Sequence, residues 1–308
     1  MERKVIVIVG PTASGKTYLA AQTAKRLGSE VISADSRQIY KLLSIGTAKP
    51  SVEEQQGVKH HFIDELEPDI EYNASRFEKE ALLRIKELHE SGKIPVVAGG
   101  SGLYIKALVD GIMDDVDVDE EYREELIELR KNEGNDYLYE LLKAKDVKAA
   151  STMLPSNWKR VIRALEVFHI TGKSITEFHQ EQTRNVNLDF RQFGLMWNRV
   201  TLYRNIEARV DKMIETGLVD EVTNILNSGY SKESNSLNTV GYKEIISYLE
   251  NEISLERTIE LIKRNTRRFA KRQMTWFRKD ERIDWIDIKS GDDLNKAVDY
   301  ILSRINLV

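Results

Sequence analysis

The chain has no cysteine in 308 residues. Disulfides and thiolate-ligated metal sites are therefore excluded, and with them the small cross-linked secreted scaffolds. Histidine is scarce as well, with 5 in all and no H-E-x-x-H arrangement, so a histidine-based zinc site has no support. The one adjacent pair, His60-His61, reads as packing beside a strand rather than as metal ligands. No apolar run approaches the roughly 20 residues that a membrane helix needs. The N-terminus, Met1-Glu2-Arg3-Lys4 followed by an apolar stretch over 5–9, has too short an apolar part for a signal peptide. Low-complexity tracts and internal repeats are missing too. The remaining composition, 41% hydrophobic and 31% charged, is that of a soluble globular protein, expected in the cytoplasm and long enough for one large or two modest domains.

Net charge is −4, which on its own argues against a nucleic-acid partner. The charge is segregated, however. Residues 114–125 are predominantly acidic with a single arginine, Arg123, whereas 263–279 are rich in Lys and Arg with no carboxylate. Such asymmetry says more about a polyanionic partner than the total does. The acidic run fits no EF-hand spacing and reads as a solvated linker.

Against this background stands Gly10-Pro11-Thr12-Ala13-Ser14-Gly15-Lys16-Thr17. It matches the G-x-x-x-x-G-K-[ST] phosphate loop, with an apolar strand pattern before it and a helical pattern after it. The glycines let the backbone wrap closely, so that N–H groups and a helix N-terminus face an anion. Lys16 then reaches the outer phosphate, and the Thr17 hydroxyl is placed to coordinate Mg²⁺. The motif specifies phosphate; it does not specify ATP.

Over the first hundred residues short apolar strands (5–9, 31–34, 95–98) alternate with helical patterns (16–27, 74–91). This predicts parallel βαβ units with both sheet faces covered: an α/β, P-loop NTPase-like parallel sheet flanked by helices. Ligands bind outside the carboxyl ends of such strands, so the phosphate loop, Asp35-Ser36-Arg37-Gln38 and Gly99-Gly100-Ser101-Gly102 should converge. From about 114 to 189 the pattern is helical, with helices expected over 120–131, 137–145 and 158–171. The expected organisation is a catalytic core of 1–114 and 190–308, carrying an inserted all-helical subdomain at 115–189. A strand at 190–197 returns to the sheet, and helices run from there to the end.

Two helices carry patterned positive charge. Lys159, Arg160 and Arg163 fall within an arc of about 100°, opposite Val161, Leu165 and Phe168; this segment alone is equally consistent with phosphate contact and with a solvated surface. In the second, Lys263, Arg267 and Lys271 recur at i+4, as do Arg264, Arg268 and Arg272. Ile259, Ile262, Phe269 and Trp276 provide an apolar stripe expected to be core. With no interleaved carboxylate, the cationic rows point to a polyanion rather than to salt bridging along the helix.

A P-loop kinase places an acidic residue at the end of a later strand to help hold Mg²⁺. Here that strand runs into Gly99-Gly100-Ser101-Gly102. The acid nearest the phosphate loop in this topology is Asp35, and a lone carboxylate beside a phosphate cradle suits a general base.

The motif series as a whole resembles the tRNA dimethylallyltransferases. It comprises the phosphate loop, Asp35-Ser36-Arg37-Gln38-Ile39-Tyr40, Ile45-Gly46-Thr47-Ala48-Lys49-Pro50, Gly99-Gly100-Ser101-Gly102-Leu103-Tyr104, Arg163-Ala164-Leu165-Glu166-Val167, Val240-Gly241-Tyr242 and Lys271-Arg272-Gln273-Met274-Thr275-Trp276-Phe277-Arg278. The resemblance covers essentially the whole chain. It implies transfer of the dimethylallyl group of dimethylallyl diphosphate to N6 of the adenosine 3′ of the tRNA anticodon, with Mg²⁺. It further implies that residues 10–17 hold the diphosphate, that Asp35 accepts the N6 proton, that Arg209 steadies the leaving group, and that Ser101 lines the channel where the substrates meet. The implied tRNA contacts are Asp35, Ser36, Arg37, Gln38, Ser101, Arg123, Lys159, Arg160, Val161, Ile162, Arg163, Gly241 and Tyr242. The expected partner is the anticodon stem-loop, clasped by the inserted subdomain, and the expected state is a monomer without a membrane. Ser101 stands where the family often has Thr, and Lys159 where it often has an amide. The resemblance is to the bacterial form, for which the zinc-finger extension of eukaryotic relatives is not expected. The competing readings are a P-loop kinase acting on a small hydroxylated metabolite, and a non-catalytic RNA-binding module switched by nucleotide.

Overall fold

A computed structural model describes residues 3–112, 116, 118–177 and 187–305. Contacts divide it into one unit of Met1–Val109 with Asn187–Val308 and a second of Asp110–Val186.

The first unit is built on six parallel strands in the order β3-β2-β4-β1-β5-β6. These are β1 (Lys4–Val9), β2 (Val31–Ser33), β3 (His60–His61), β4 (Val96–Gly99), β5 (Asp189–Trp197) and β6 (Ile283–Ile288). Val5 to Val9 are all fully buried, as befits a central strand whose two faces are both covered by helices. One face, with Ile6, Ile8, Val96, Phe193 and Leu195, packs against Leu19, Ala20 and Ala24 of α1 (Lys16–Arg26). Ala297, Val298 and Ile301 of the C-terminal helix Asp293–Arg304 join the same core.

Two strands depart from the sequence expectation. His60-His61 does not lie beside a strand but forms edge strand β3. Residues 283–288, expected to be helical, form edge strand β6, paired to β5 from Gln192–Ile283 to Trp197–Ile288. An edge strand buries only part of its surface, so Asp284 and Asp287 are accommodated there and mask the β pattern.

The second unit is helical: α5 (Glu120–Lys145), α6 (Val147–Ala150), a short 3₁₀ turn and α7 (Trp158–Thr171). The expected break between 131 and 137 is a kink within α5 at Gly134, whose φ of 88° and ψ of 178° no helix tolerates. Leu126, Leu138, Leu142, Ala149, Val161 and Leu165 form its core. Asp114, Asp115 and Asp117 of the acidic run lie outside the described residues.

Candidate active site

Three strand ends supply the site, all within the first unit. The chain leaves β1 through residues 10–15, where Ala13 and Gly15 take left-handed backbone (φ 61° and 82°). That geometry turns successive N–H groups toward one point and delivers them to the N-terminus of α1, whose first amides have no helical acceptor. Trp197, at the end of β5, braces the loop by donating from Nε1 to the Ser14 carbonyl at 2.9 Å. Ser14 Oγ is fully buried and has no hydrogen-bond partner among the described residues.

The end of β2 is pressed against the end of β4. Ala34 N donates to the Ala98 carbonyl at 2.8 Å and Ser101 N to the Ala34 carbonyl at 3.3 Å, and a Cβ on Gly99 would overlap the Ala34 backbone. The Ser101 hydroxyl accepts from Ser36 N at 3.0 Å. Asp35 Oδ1 accepts from the backbone N–H of Arg37 at 2.9 Å and Gln38 at 3.4 Å, which fixes the carboxylate at the strand end. Lys16, Thr17, Asp35, Gln38 and Gly99 line one small cavity. The structure therefore brings the three expected segments together.

Arg209 arrives from α8 (Arg199–Glu215), with Nη1 3.5 Å from Thr12 Oγ1. Its guanidinium is pushed below its ordinary pKa by burial. Lys16 is lowered to about 8, first by burial; Asp35 partly offsets this and Arg209 adds to it. A half-buried cation pair next to a cradle of N–H groups is arranged for a polyvalent anion. For a divalent metal the cavity offers the Thr17 hydroxyl, and among the described residues no group of three or more His, Asp or Glu could hold the ion. A single hydroxyl donor fits Mg²⁺ shared with ligand phosphate oxygens rather than held by protein alone.

Two residues with a place in the site carried no individual signal in sequence. Gln273, from α11 (Leu255–Phe277), accepts from Thr12 N through Oε1 at 2.8 Å and donates to the Gly100 carbonyl through Nε2 at 3.0 Å. It thereby ties the phosphate loop to the glycine loop after β4. His60 lines the Lys16–Asp35 cavity; its Nδ1 donates to the Val58 carbonyl at 2.9 Å, and burial holds its pKa down.

The basic helix α11 needs correction. Lys263 pairs with Asp211 at 2.6 Å and Arg267 with Glu207 at 2.5 Å, both carboxylates on α8, so two of the three cations in one row are neutralised by a neighbouring helix. Phe269 and Trp276, expected in the core, are 39% and 37% exposed; the buried positions are Thr258, Ile262, Ala270, Gln273 and Phe277. Trp276 lies directly over Gly102, where a Cβ would overlap its indole. Arg268, Lys271, Arg272 and Lys279 surround Trp276 along an open groove.

In the helical unit Lys159 and Arg160 are exposed, while the Val161 and Ile162 side chains are in its core. Arg163 turns inward to the fully buried Glu166 and donates to the Val116 carbonyl at 2.9 Å; Arg123 donates to the same Glu166 at 2.9 Å. Tyr242, in the first unit, is fully buried.

A glycine-rich loop at the carboxyl end of a parallel sheet, with Lys16 and the anchored carboxylate of Asp35 on one cavity beside it, is the arrangement of a P-loop-like enzyme fold. A family model described as IPP transferase matches residues 38–280. The chain belongs to that family, the tRNA dimethylallyltransferases, which are prenyltransferases. It is 47% identical to the tRNA dimethylallyltransferase of Acetivibrio thermocellus, over 98% of each chain, and 46% identical to that of Carboxydothermus hydrogenoformans, over 99% of this chain and 98% of the relative. Among solved structures it is similar to the tRNA isopentenylpyrophosphate transferase of Bacillus halodurans, with TM-score 0.73, 39% identity and coverage of 98% and 96%. It is also similar to a eukaryotic dimethylallyltransferase acting on tRNA, with TM-score 0.78, 31% identity and coverage of 92% and 73%.

Proposed function

We propose that this chain transfers the dimethylallyl group from dimethylallyl diphosphate to N6 of the adenosine 3′-adjacent to the anticodon of tRNA. The observation that carries the reading is the opposition of one anchored carboxylate, Asp35, to a cationic phosphate loop, with glycines where a kinase would place a second acid. A diphosphate held by the loop is a leaving group and needs no phosphoryl acceptor. N6 attacks C1 of the dimethylallyl group, the C1–O bond breaks, and the electron pair departs with the diphosphate. The amine lone pair is delocalised into the purine, so N6 gains nucleophilicity as Asp35 takes its proton. Lys16, Arg209 and the amides of residues 13–17 oppose the charge growing on the diphosphate. Thr17 would hold Mg²⁺ through its hydroxyl, and the ion would neutralise part of that charge. Ser101 holds the backbone of Ser36 and so keeps the Asp35 turn facing the cradle.

The target base is stacked in the anticodon loop and must be turned out to reach the diphosphate, at a cost of a few kcal/mol. Arg37 and Gln38 supply contacts beside Asp35, whereas Gly241, expected from sequence to touch RNA, is buried and its N–H donates to Glu244 Oε2 at 2.8 Å. The exposed Lys159 and Arg160 and the groove of Arg268, Lys271, Arg272 and Lys279 supply cations for the RNA backbone. Trp276 offers an aromatic face in that groove. The enzyme acts as a monomer in the cytoplasm; no helix of the described residues is long and apolar enough to cross a membrane.

The test is transfer of labelled dimethylallyl from its diphosphate to unmodified tRNA with Mg²⁺, beside an ATP control. Label at the adenosine 3′ of the anticodon, lost by roughly 10²–10⁴-fold in Asp35→Asn with RNA affinity kept, supports the reading. Phosphate release from ATP without incorporation would instead make the chain a kinase.

A further inference from the structure

Far from Asp35 in sequence, the first turn of α9 (Leu218–Asn227) carries Glu221. Its carboxylate gathers the backbone of another loop: Oε2 accepts from Ser44 N at 2.9 Å and Ile45 N at 2.7 Å, and Oε1 from Gly46 N at 3.0 Å. The Tyr242 hydroxyl donates a fourth bond to Oε1 at 2.6 Å. Three consecutive amides converging on one anion form a nest, and charge-assisted bonds of this kind are about twice as strong as neutral ones. The Tyr242 ring lies against Gly46, where any Cβ would overlap it. Burial and the neighbouring carboxylate hold the phenol well above its ordinary pKa, so it remains a donor.

The loop so gripped does not end there. The carbonyls of Thr47 and Ala48 accept from Gln38 Nε2 at 3.2 and 3.1 Å, and Gln38 N is one of the two amides on Asp35 Oδ1. Ala48 takes left-handed backbone at φ 49°, a conformation that persists in a non-glycine residue only when its surroundings impose it. A continuous run of hydrogen bonds thus leads from Glu221 through residues 44–48 and Gln38 to the proposed base. Tyr242, a residue read from sequence as touching RNA, is fully buried, so its side chain acts through this run.

We infer that Glu221 and Tyr242 are positioning residues: together they clamp residues 44–48, and through Gln38 they set the place of Asp35 and of the surface that receives the flipped adenosine. This rests on the prenyl-transfer reading. A misplacement of the order of 1 Å at a reacting group costs about a hundredfold in rate, so the clamp bears on turnover although it touches neither substrate.

The test uses the full chain, with Glu221→Gln and Tyr242→Phe. Both preserve shape; the first weakens the nest and the second removes only the hydroxyl. Amide hydrogen exchange at Ser44, Ile45 and Gly46 reports on the clamp without reference to activity, and wild-type transfer measured first separates failure of the prenyl-transfer reading from failure of the clamp. The expected result is faster exchange at these three amides in both variants. With it should come a fall of roughly tenfold or more in kcat/KM for tRNA, and an unchanged Kd for inorganic diphosphate. If wild type shows no protection at the three amides, or if exchange quickens while kcat/KM per folded molecule stays at the wild-type value, the positioning role is wrong and the contacts serve stability alone. Should Glu221→Gln fail to fold, Tyr242→Phe decides by the same readouts.

Discussion

Gln273 donates to the Gly100 carbonyl at 3.0 Å from a side chain that is 7% exposed. Its other end accepts from Thr12 N at 2.8 Å. One amide thus spans the loops that follow β1 and β4, and no residue type with only donors or only acceptors could do so. Gln273→Ala leaves a carbonyl and an N–H without partners, at about 1–3 kcal/mol for each buried group. Gln273→Glu keeps the bond from Thr12 but sets a carboxylate against the Gly100 carbonyl. Both variants should weaken inorganic diphosphate in calorimetry, and Gln273→Glu should do so more by adding an anion at the phosphate loop. Equal affinity in all three proteins would mean that the bridge does not shape the loop.

The phosphate site should titrate. Lys16 is lowered to about 8 from 10.5, chiefly by burial, so between those values the unfolded chain holds a proton here that the folded chain lacks. By linkage, this group's contribution to stability rises with pH across that window. Binding follows the opposite trend. Above about pH 8 the free site loses its ammonium and must recover the proton to meet the anion, so diphosphate affinity should fall by up to about tenfold per pH unit. Calorimetry near pH 9 in buffers of different ionisation enthalpy should show uptake of about one proton, abolished in Lys16→Met. Affinity that stays flat from about pH 7 to 10 would place the Lys16 pKa near its ordinary value.

Gly99 tests the junction of β2 and β4. A methyl there meets the Ala34 carbonyl and Cβ, and backbone cannot rotate away as a side chain can. Gly99→Ala should lower stability by about 1–3 kcal/mol or more, seen as an earlier thermal transition. Gly92→Ala is the control for a glycine in open space, where the cost comes from its φ of 72° alone. If the two variants melt alike, the two strand ends are less tightly opposed than the geometry indicates.

The sequence revealed what local chemistry encodes and concealed what only neighbours decide. Residues 10–17 declare their geometry through glycine spacing, and the alternation of strands and helices places Asp35 and Ser101 beside them by topology alone. Gln273 looks like an ordinary polar residue on a basic helix, because its two partners lie more than 170 positions away. Lys263 and Arg267 look free because Asp211 and Glu207 belong to another helix. Residues 283–288 hide as a strand because an edge position accepts Asp284 and Asp287 where a central strand would not. Phe269 and Trp276 fit a core stripe by spacing, yet the helix buries a neighbouring face.

The two ends of the first basic segment should behave differently. Lys159 and Arg160 are exposed, and substituting both by Ala should leave folding intact. It should weaken tRNA about equally across sequences and reduce the salt slope by roughly 2. Arg163 shares the fully buried Glu166 with Arg123 and is only 27% exposed. Arg163→Ala strands part of a buried negative charge, a loss of the order of 3–5 kcal/mol where no other cation compensates and less here because Arg123 remains. Its first effect should be an earlier melting transition, with any loss of RNA affinity following from loosening of the helical unit. Combining the charge removals in one variant would confuse the two effects, so they must be measured separately. A double variant of Lys159 and Arg160 that binds tRNA with wild-type affinity and salt dependence would remove this face from the RNA interface. Arg163→Ala with wild-type melting but weakened RNA would make Arg163 a direct contact and its pairing with Glu166 incidental.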